Sequence, residues 1–529
     1  MTARLDLAEL DQLGISPERA ERWLWRLTAL GVGLRLLIYL LRTPIWTDEA
    51  KLAVSLLDRG YAGFLEPLAY SQIAPVLFMW LQKSVTLVLG FSEYSLRLLP
   101  CAAAVGGVFL MRRLARRVFA GAPAIFALAW FAVSYYPVRH AAELKPYATD
   151  LLASLALTVL AVEWFEERRA KWLWWLAVAA PVAIALSYPA VFSAAGVLAA
   201  LAVSVWREGG RDDRAAWIVA SFSGAAVFAL NYLLIGAAHQ EARAATRAVW
   251  PGGFPPLGDP LGALGWLVTA HTGRTFGYPL GGENGGSVLT FVLFAAGALA
   301  LARAGRKPLL AVLLLPFAAG IAAAVLQRYP YGGSGRVSQY LVPAICLLAG
   351  LGAARLTAMA ANVARQRRWQ RGILTGLIVF AGLLATAAIV HPYRDRPDLE
   401  ARQFAWRVWV EEARDAVVAD AWEDLGLEFA RPSSYWTPGG ASYRINQRIY
   451  FERRRSGGAL DLDGVSPEEP LRVVFLATAI EGDPEAFAAW RHEMERSYEL
   501  VADEPRRLGG FAEQHGEGES VRVLTFVPR

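Results

Sequence analysis

Long apolar runs recur along nearly the whole of this 529-residue chain, and they fix the solvent in which it folds. Leu24–Leu41, Val118–Tyr136, Tyr147–Val162, Ala216–Gly236, Val288–Leu301, Leu309–Leu326, Leu341–Ala354 and Ile373–Val390 are mostly long enough to cross about 30 Å of hydrocarbon as helices. With 55% apolar and 19% charged residues, the composition excludes a single soluble domain and reads as a polytopic membrane protein, mainly α. The formal charge of +6 does not point to a nucleic-acid partner, because the arginines fall in short clusters between apolar runs rather than along one face. Cys101 and Cys346 both lie inside apolar segments, which suits reduced packing residues and gives neither a disulfide framework nor a metal-ligand spacing. Arg42-Thr43-Pro44 after the first run lacks a small-residue cleavage pattern, so that run is expected to stay as a membrane helix.

The clusters Arg112–Arg117, Arg168–Lys171, Arg207–Arg214, Arg303–Lys307 and Arg365–Arg368 separate apolar runs and are expected on the cytoplasmic side. With Arg22 and Arg26 also inside, the first span carries Asp48 and Glu49 outside, and a single crossing then remains before Arg112. Leu96–Met111 is continuous up to the arginines, whereas Ile73–Leu89 carries Gln72, Pro75, Gln82 and Lys83 in or beside it. The first is therefore assigned as the crossing and the second as an amphipathic juxtamembrane helix on the outer face. Trp172–Leu186 and Ala190–Trp206 form a hairpin turning at Ser187-Tyr188-Pro189, and the count comes to about eleven crossings. Residues 1–391 then form the membrane domain. Residues 392–529 form a small extracytoplasmic α/β domain, with strand-like Leu471–Ala477 and Val521–Val527 and a helical Pro484–Leu500 between them. The absence of an evident internal repeat disfavours an inverted-repeat transporter.

Asp48 and Glu49 stand side by side just after the first span of a chain that keeps acids out of nearly all its apolar segments. A charge at the hydrocarbon centre costs roughly 2.5 to 3.5 kcal/mol, so acids at the lip of a span are solvated caps or parts of a site. Position alone does not separate the two readings. Three further stretches share the outer side: Glu66 to Pro75 with Tyr70 and Gln72, Ser92 to Pro100, and Arg139-His140-Ala141-Ala142-Glu143-Leu144-Lys145-Pro146-Tyr147.

Asp48-Glu49-Ala50, Tyr70–Pro75, Glu93-Tyr94-Ser95-Leu96-Arg97 and Glu143–Tyr147 together resemble bacterial family 39 glycosyltransferases of the GT-C fold, which include protein O-mannosyltransferases and the lipid A aminoarabinose transferase. The resemblance covers about the first 200 residues, extends weakly through Gly335–Pro343, and says little about the tail. It implies a GT-C-like helical bundle, a polyprenyl-phosphate-linked sugar donor and a catalytic acidic motif in the first outer loop. That motif maps to Asp48 first and Glu49 second.

The physical chemistry agrees. A sugar on a polyprenyl phosphate already has a stable anionic leaving group, so the acceptor hydroxyl is the difficult partner. A carboxylate that takes its proton during attack typically contributes about 10² to 10⁴ in rate. One base and an in-line attack predict inversion, whereas a retaining double displacement needs two carboxylates at a defined separation. Adjacent side chains point in different directions, so Asp48 is assigned the base and Glu49 an orienting or acceptor-binding role. Lys145, with Arg139 and Arg336, is expected to meet the donor phosphate; snorkelling to lipid headgroups is the competing explanation, most evenly so for Arg139. Tyr70, Gln72, His140, Glu143 and Tyr147 are the candidate substrate contacts. Arg97 is expected to pair with a nearby acid such as Glu93.

Trp23, Trp25, Trp172, Trp174, Trp175, Trp206 and Trp369 sit at predicted interfaces, where the membrane belt explains them, but Trp46 stands two residues before Asp48 and is a candidate for the sugar pocket. Trp250–Pro256 and Tyr331–Gly335 read either as loops that order over a donor or as ordinary connectors.

The expected partners are therefore a polyprenyl-phosphate sugar, a lipid, glycan or protein acceptor, and the bilayer of a bacterial inner membrane. No cofactor is required by this reading. A divalent ion on Asp48 and Glu49 is the open alternative, although the resemblance implies metal-independent action. A lipid-linked-sugar flippase would place charges or broken helices near mid-membrane, whereas the charges here gather at helix ends. A glycan ligase or polymerase using a related donor is not separated from the first reading by sequence.

Overall fold

The computed structural model describes residues 16–235, 247, 250–282, 286–421, 424–427, 438–451, 470–476, 480, 482–507 and 520–529. Helix α1 (Pro17–Leu40) leads into α2 (Thr47–Asp58) and α3 (Val76–Leu89), followed by α4 (Glu93–Val118) and α5 (Gly121–Val133). Then come α6 (Tyr147–Glu167), α7 (Lys171–Leu186), α8 (Ala190–Glu208), α9 (Arg211–Ile235), α10 (Pro260–Thr272), α11 (Gly286–Arg303), α12 (Lys307–Val325), α13 (Val342–Ala358) and α14 (Val363–Val390).

Among the described residues, nine helices are long and apolar enough to span a membrane, and α5 joined to Tyr135–Ala142 across a 51° bend makes a tenth. The eleventh expected crossing falls on α7, whose 16 residues reach only about 24 Å at the α-helical rise. It is packed between α9 and α6. The second and third expected spans also shift. Helix α4 runs on through Arg112–Arg117 to Val118, and the break comes at the extended Phe119 and Ala120, just before Gly121, whose φ of +59° favours glycine.

Those arginines stay helical because acids meet them: Arg113 binds Glu163 at 2.8 Å, Arg117 binds Glu163 and Glu167, and Arg112 binds Glu21. They cluster at the end of α4 remote from Glu93 and Arg97, about 30 Å away along the axis by helical rise. The bend after α5 has a local cause. Ser134 leaves the helical region, and Pro137 has no N–H to return to the Val133 carbonyl.

Helices α5 and α13 form the centre of the bundle, with all but the first residue of α5 buried. Small residues let their neighbours approach: a methyl group at Gly297 of α11 or Gly352 of α13 would run into the carbonyl of Leu348 or Leu293 on the opposing helix.

After α14 come α15 (Arg396–Trp406), β1 (Val417–Asp420), α16 (Pro438–Phe451), β2 (Leu471–Leu476), α17 (Pro484–Met494), β3 (Tyr498–Arg507) and β4 (Ser520–Pro528). The sheet order is β1-β2-β4-β3, with β1 parallel to β2 and the other pairs antiparallel. The helix expected over Pro484–Leu500 ends at Met494, because Tyr498–Leu500 pair with Phe526–Pro528 as the start of β3.

Strand β2 is buried on both faces, as its near-continuous apolar sequence demands. Leu471, Val473 and Phe475 pack with Phe487 of α17, while Val474 and Leu476 join a second core. That second core continues through Tyr443 and Ile449 of α16 and Phe404 of α15 to Leu52, Val54 and Leu56 of α2. The tail is thus packed directly on the helix that begins with the acidic doublet.

Candidate active site

Helix α2 starts where Trp46 leaves the helical region and Glu49 turns back to accept from the Trp46 N–H at 3.4 Å. Asp48 occupies the second helical position, where the unpaired N–H groups favour a carboxylate. The two acids then diverge, as adjacent side chains must. Glu49 is buried and accepts from Arg97 Nε at 2.8 Å and from the Leu144 N–H at 2.7 Å. Its oxygens are spent on holding three chain segments together, since Arg97 also donates to the carbonyls of Thr43 and Pro44. Both Glu49 oxygens thus meet protein donors.

Arg97 does not pair with Glu93, contrary to the expectation from sequence proximity. Glu93 sits one turn away on α4 and faces Arg42 at 3.0 Å and the Tyr450 hydroxyl at 2.8 Å.

Asp48 remains partly open and pairs with Arg336 Nη1 at 3.3 Å. Arg336 also faces the rings of Trp46 and Trp250, at 5.8 and 5.4 Å. Lys145 is buried and donates to Gln72 Oε1 at 2.5 Å. Burial pushes this ammonium below the ordinary lysine range, against the pull of Asp48 and Glu143. Gln72 reaches it from a turn in which Tyr70 and Ser71 both take positive φ, +55° and +52°. Two consecutive non-glycine residues in that region mark strain held by the surrounding fold.

His140 Nδ1 and Glu143 Oε2 are 2.5 Å apart, and His140 stands edge-on to Tyr147 at 5.0 Å between ring centres. Burial alone raises the Glu143 carboxyl, yet His140, Arg394 and Arg139 outweigh it and bring the group down to about 2. Glu143 Oε1 is buried with no hydrogen-bond partner among the described residues. Arg139, half-buried, enters this cluster through its charge on Glu143.

The structure therefore gathers Trp46, Asp48, Gln72, His140, Glu143, Lys145, Tyr147 and Arg336 from four separate stretches of the chain. It adds two residues that sequence reasoning passed over. Arg394 lies over Trp46, and Asp398 of α15 accepts from Thr47 Oγ1 at 3.3 Å. Burial first, then the charges of Asp395 and Glu49, push Asp398 up to about 7. Nothing local in Arg394-Asp395-Arg396-Pro397-Asp398 distinguishes it from an ordinary polar segment following a membrane helix.

The two glycine-rich loops meet beside Arg336: the Tyr331 N–H donates to the Gly253 carbonyl at 2.7 Å. A cleft of about 510 Å³ lies there, lined by Trp250, Gly252, Thr269, Arg274, Gly333 and Arg336 among others. Part of the long loop preceding it folds as α10, and residues 236–246 of that loop lie outside those described. Among the described residues, no three His, Cys, Asp or Glu side chains are grouped as a metal site.

Residues 74–233 match the family model described as dolichyl-phosphate-mannose-protein mannosyltransferase. The structure is similar to that of ArnT from Cupriavidus metallidurans bound to undecaprenyl phosphate, at 14% identity and a TM-score of 0.50, over 96% of this chain and 98% of that one. The apo state of the same protein matches at 13% identity and a TM-score of 0.50, over 94% and 97% of the two chains. The chain has the GT-C glycosyltransferase fold. Among curated proteins there is no sequence match. The mannosyltransferase model covers less than a third of the chain, and the solved structures show the fold. Within this GT-C chain the matched stretch covers His140 to Tyr147. It does not reach Asp48, Arg336 or the tail.

Proposed function

We propose that the protein transfers a sugar from a polyprenyl-phosphate-linked donor to an acceptor hydroxyl, with inversion, and that Asp48 is the general base. The reading rests on one observation: Asp48 is a partly open carboxylate at a helix start, with the cations of Arg336 and Lys145 beside it. The acceptor oxygen attacks the anomeric carbon and its proton passes to Asp48. The bond from that carbon to the phosphate oxygen breaks, and its electron pair stays on the phosphate. Lys145, Arg336 and Arg139 stabilise that phosphate, and two of them are arginines whose fork fits its oxygens. Glu49 keeps Asp48 in place through Arg97 and Leu144.

A similar solved protein holds undecaprenyl phosphate, which supports a lipid-phosphate donor for this chain. The site is assigned to the extracytoplasmic face of a bacterial inner membrane because the arginine clusters lie at the other end of α4.

Sugar transfer by reconstituted Asp48→Asn tests the assignment. Loss of about 10² to 10⁴ in turnover is expected for a general base. Near-wild-type turnover in a folded Asp48→Asn protein removes Asp48 from catalysis. Activity retained after chelation supports metal-independent transfer, and its loss places a divalent ion in the reaction.

A further inference from the structure

Arg394 sits between α14 and α15, outside every motif and outside the family match. Its guanidinium carbon is 3.4 Å from the centre of the Trp46 ring, and that of Arg336 is 5.8 Å from the same ring. One indole thus carries two cations, and among the described residues Asp48 forms its ion pair with Arg336. The carboxylate nearest to Arg394 is that of the adjacent, largely exposed Asp395, at 3.9 Å.

The segment is not a loose tether. Asp398 accepts from Thr47, while Arg402 donates to the Arg42 carbonyl at 2.7 Å and to the Tyr450 hydroxyl at 2.8 Å. These contacts fasten the start of the tail to the chain on both sides of Trp46, so Arg394 is held over the indole by the fold. Two guanidinium groups brought toward one ring repel each other, and the carboxylates of Asp48 and Glu143 offset part of that repulsion while a further anion bound between the two forks would offset more. The planar fork of arginine matches a phosphate or a carboxylate, and a partly dry aromatic floor strengthens the match.

We propose that Arg394 and Arg336 clamp one anionic group of a substrate, a phosphate or a carboxylate, above Trp46. The segment that follows the last membrane helix then completes the active site, and the tail is part of the catalytic unit. This inference rests on the glycosyltransferase reading. The anion belongs either to the lipid phosphate of the donor or to an acidic group on the acceptor.

The test uses the full-length protein in nanodiscs, with Arg394→Gln and Arg394→Lys beside wild type. Binding of undecaprenyl phosphate, of a soluble hexose 6-phosphate and of a soluble hexuronate is measured across a salt series. Loss of one guanidinium clamp is expected to weaken the affected ligand by about tenfold and to flatten its salt dependence, with the lysine variant falling between. A tenfold loss for undecaprenyl phosphate assigns the anion to the donor. The same loss confined to the hexose 6-phosphate or the hexuronate assigns it to the acceptor. Affinities within twofold of wild type for all three ligands, in both variants, overturn the clamp. Should Arg394→Gln fail to fold, Arg394→Lys decides alone, because it keeps the charge and loses the fork. Wild-type protein that binds these anions yet transfers no sugar from any polyprenyl-phosphate donor would instead overturn the glycosyltransferase reading and leave the clamp standing.

Discussion

Arg97 and Glu49 form a buried ion pair across 48 residues of sequence, and this pair fixes the chain entering the candidate site. Arg97 holds Thr43 and Pro44 by their carbonyls, and Glu49 holds Leu144 by its N–H. The segments bearing Asp48 and Lys145 are thereby fastened by one side-chain pair that joins α2 to α4.

Removing one partner of that pair leaves an uncompensated buried charge, which costs about 3 to 5 kcal/mol. Arg97→Met and Glu49→Gln are each expected to lower the thermal midpoint of the detergent-solubilised protein strongly. The double substitution should recover part of the loss. If the double variant is no more stable than the worse single one, the two side chains are not coupled as described.

Asp398 gives a pH dependence with a definite sign. Its folded value of about 7 stands above an unfolded aspartate value of about 3.9, so the fold binds its proton more tightly than the unfolded chain does. The associated stability is fully present below about pH 4 and is lost as pH rises through about 7. Asp398→Asn should flatten thermal midpoints between these limits. An unchanged slope in the variant would remove Asp398 as the source.

Glu143 acts in the opposite direction. Its folded value of about 2 lies below the ordinary value, so its contribution is present above about pH 4.5 and is lost as pH falls toward 2. Glu143→Gln should blunt acid destabilisation in that lower window while leaving the slope between pH 5 and 7 to Asp398. Midpoints recorded from pH 3 to 8 on both variants separate the two groups.

Gln72 fixes the direction of the Lys145 ammonium. Gln72→Leu leaves that buried cation without its acceptor, a loss on the order of 1 to 3 kcal/mol at the hydrogen bond. A rise of about tenfold in donor KM, with a smaller change in kcat, is expected. A kcat loss with KM untouched would place Lys145 in the chemical step rather than in donor binding.

Close packing in the bundle is equally exposed to test. Gly352→Ala sets a methyl group against the Leu293 carbonyl, and over-packing of this kind costs about 1 to 3 kcal/mol. Gly376, on the outward part of α14 with open space around it, is the control. Equal thermal midpoints for Gly352→Ala and Gly376→Ala would contradict the α11–α13 crossing.

Much of this protein follows from local sequence. Run length and composition determine the membrane helices, because a helix in hydrocarbon must be apolar over its whole length whatever its neighbours are. The same holds for the acidic doublet at the lip of the first span and for the Ser187-Tyr188-Pro189 turn between α7 and α8. The short, nearly continuous apolar run of Leu471 to Leu476, rich in Val and Phe, likewise marks a buried strand. Boundaries proved less legible: α4 continues through six residues rich in arginine because Glu21, Glu163 and Glu167, far away in sequence, neutralise them.

Partnerships were decided only by tertiary structure. Arg97 lies four residues from Glu93 and chooses Glu49; Arg336 finds Asp48 across 288 residues; Thr47 finds Asp398 across 351. Charge pairing acts over a few ångströms in space and is blind to distance along the chain, whereas helix formation and membrane insertion are read within a window of about twenty residues. The sequence therefore set where the chain crosses the bilayer and which chemistry stands at its edge. The packing of α15 and α16 on α2 set which cations face Trp46 and Asp48.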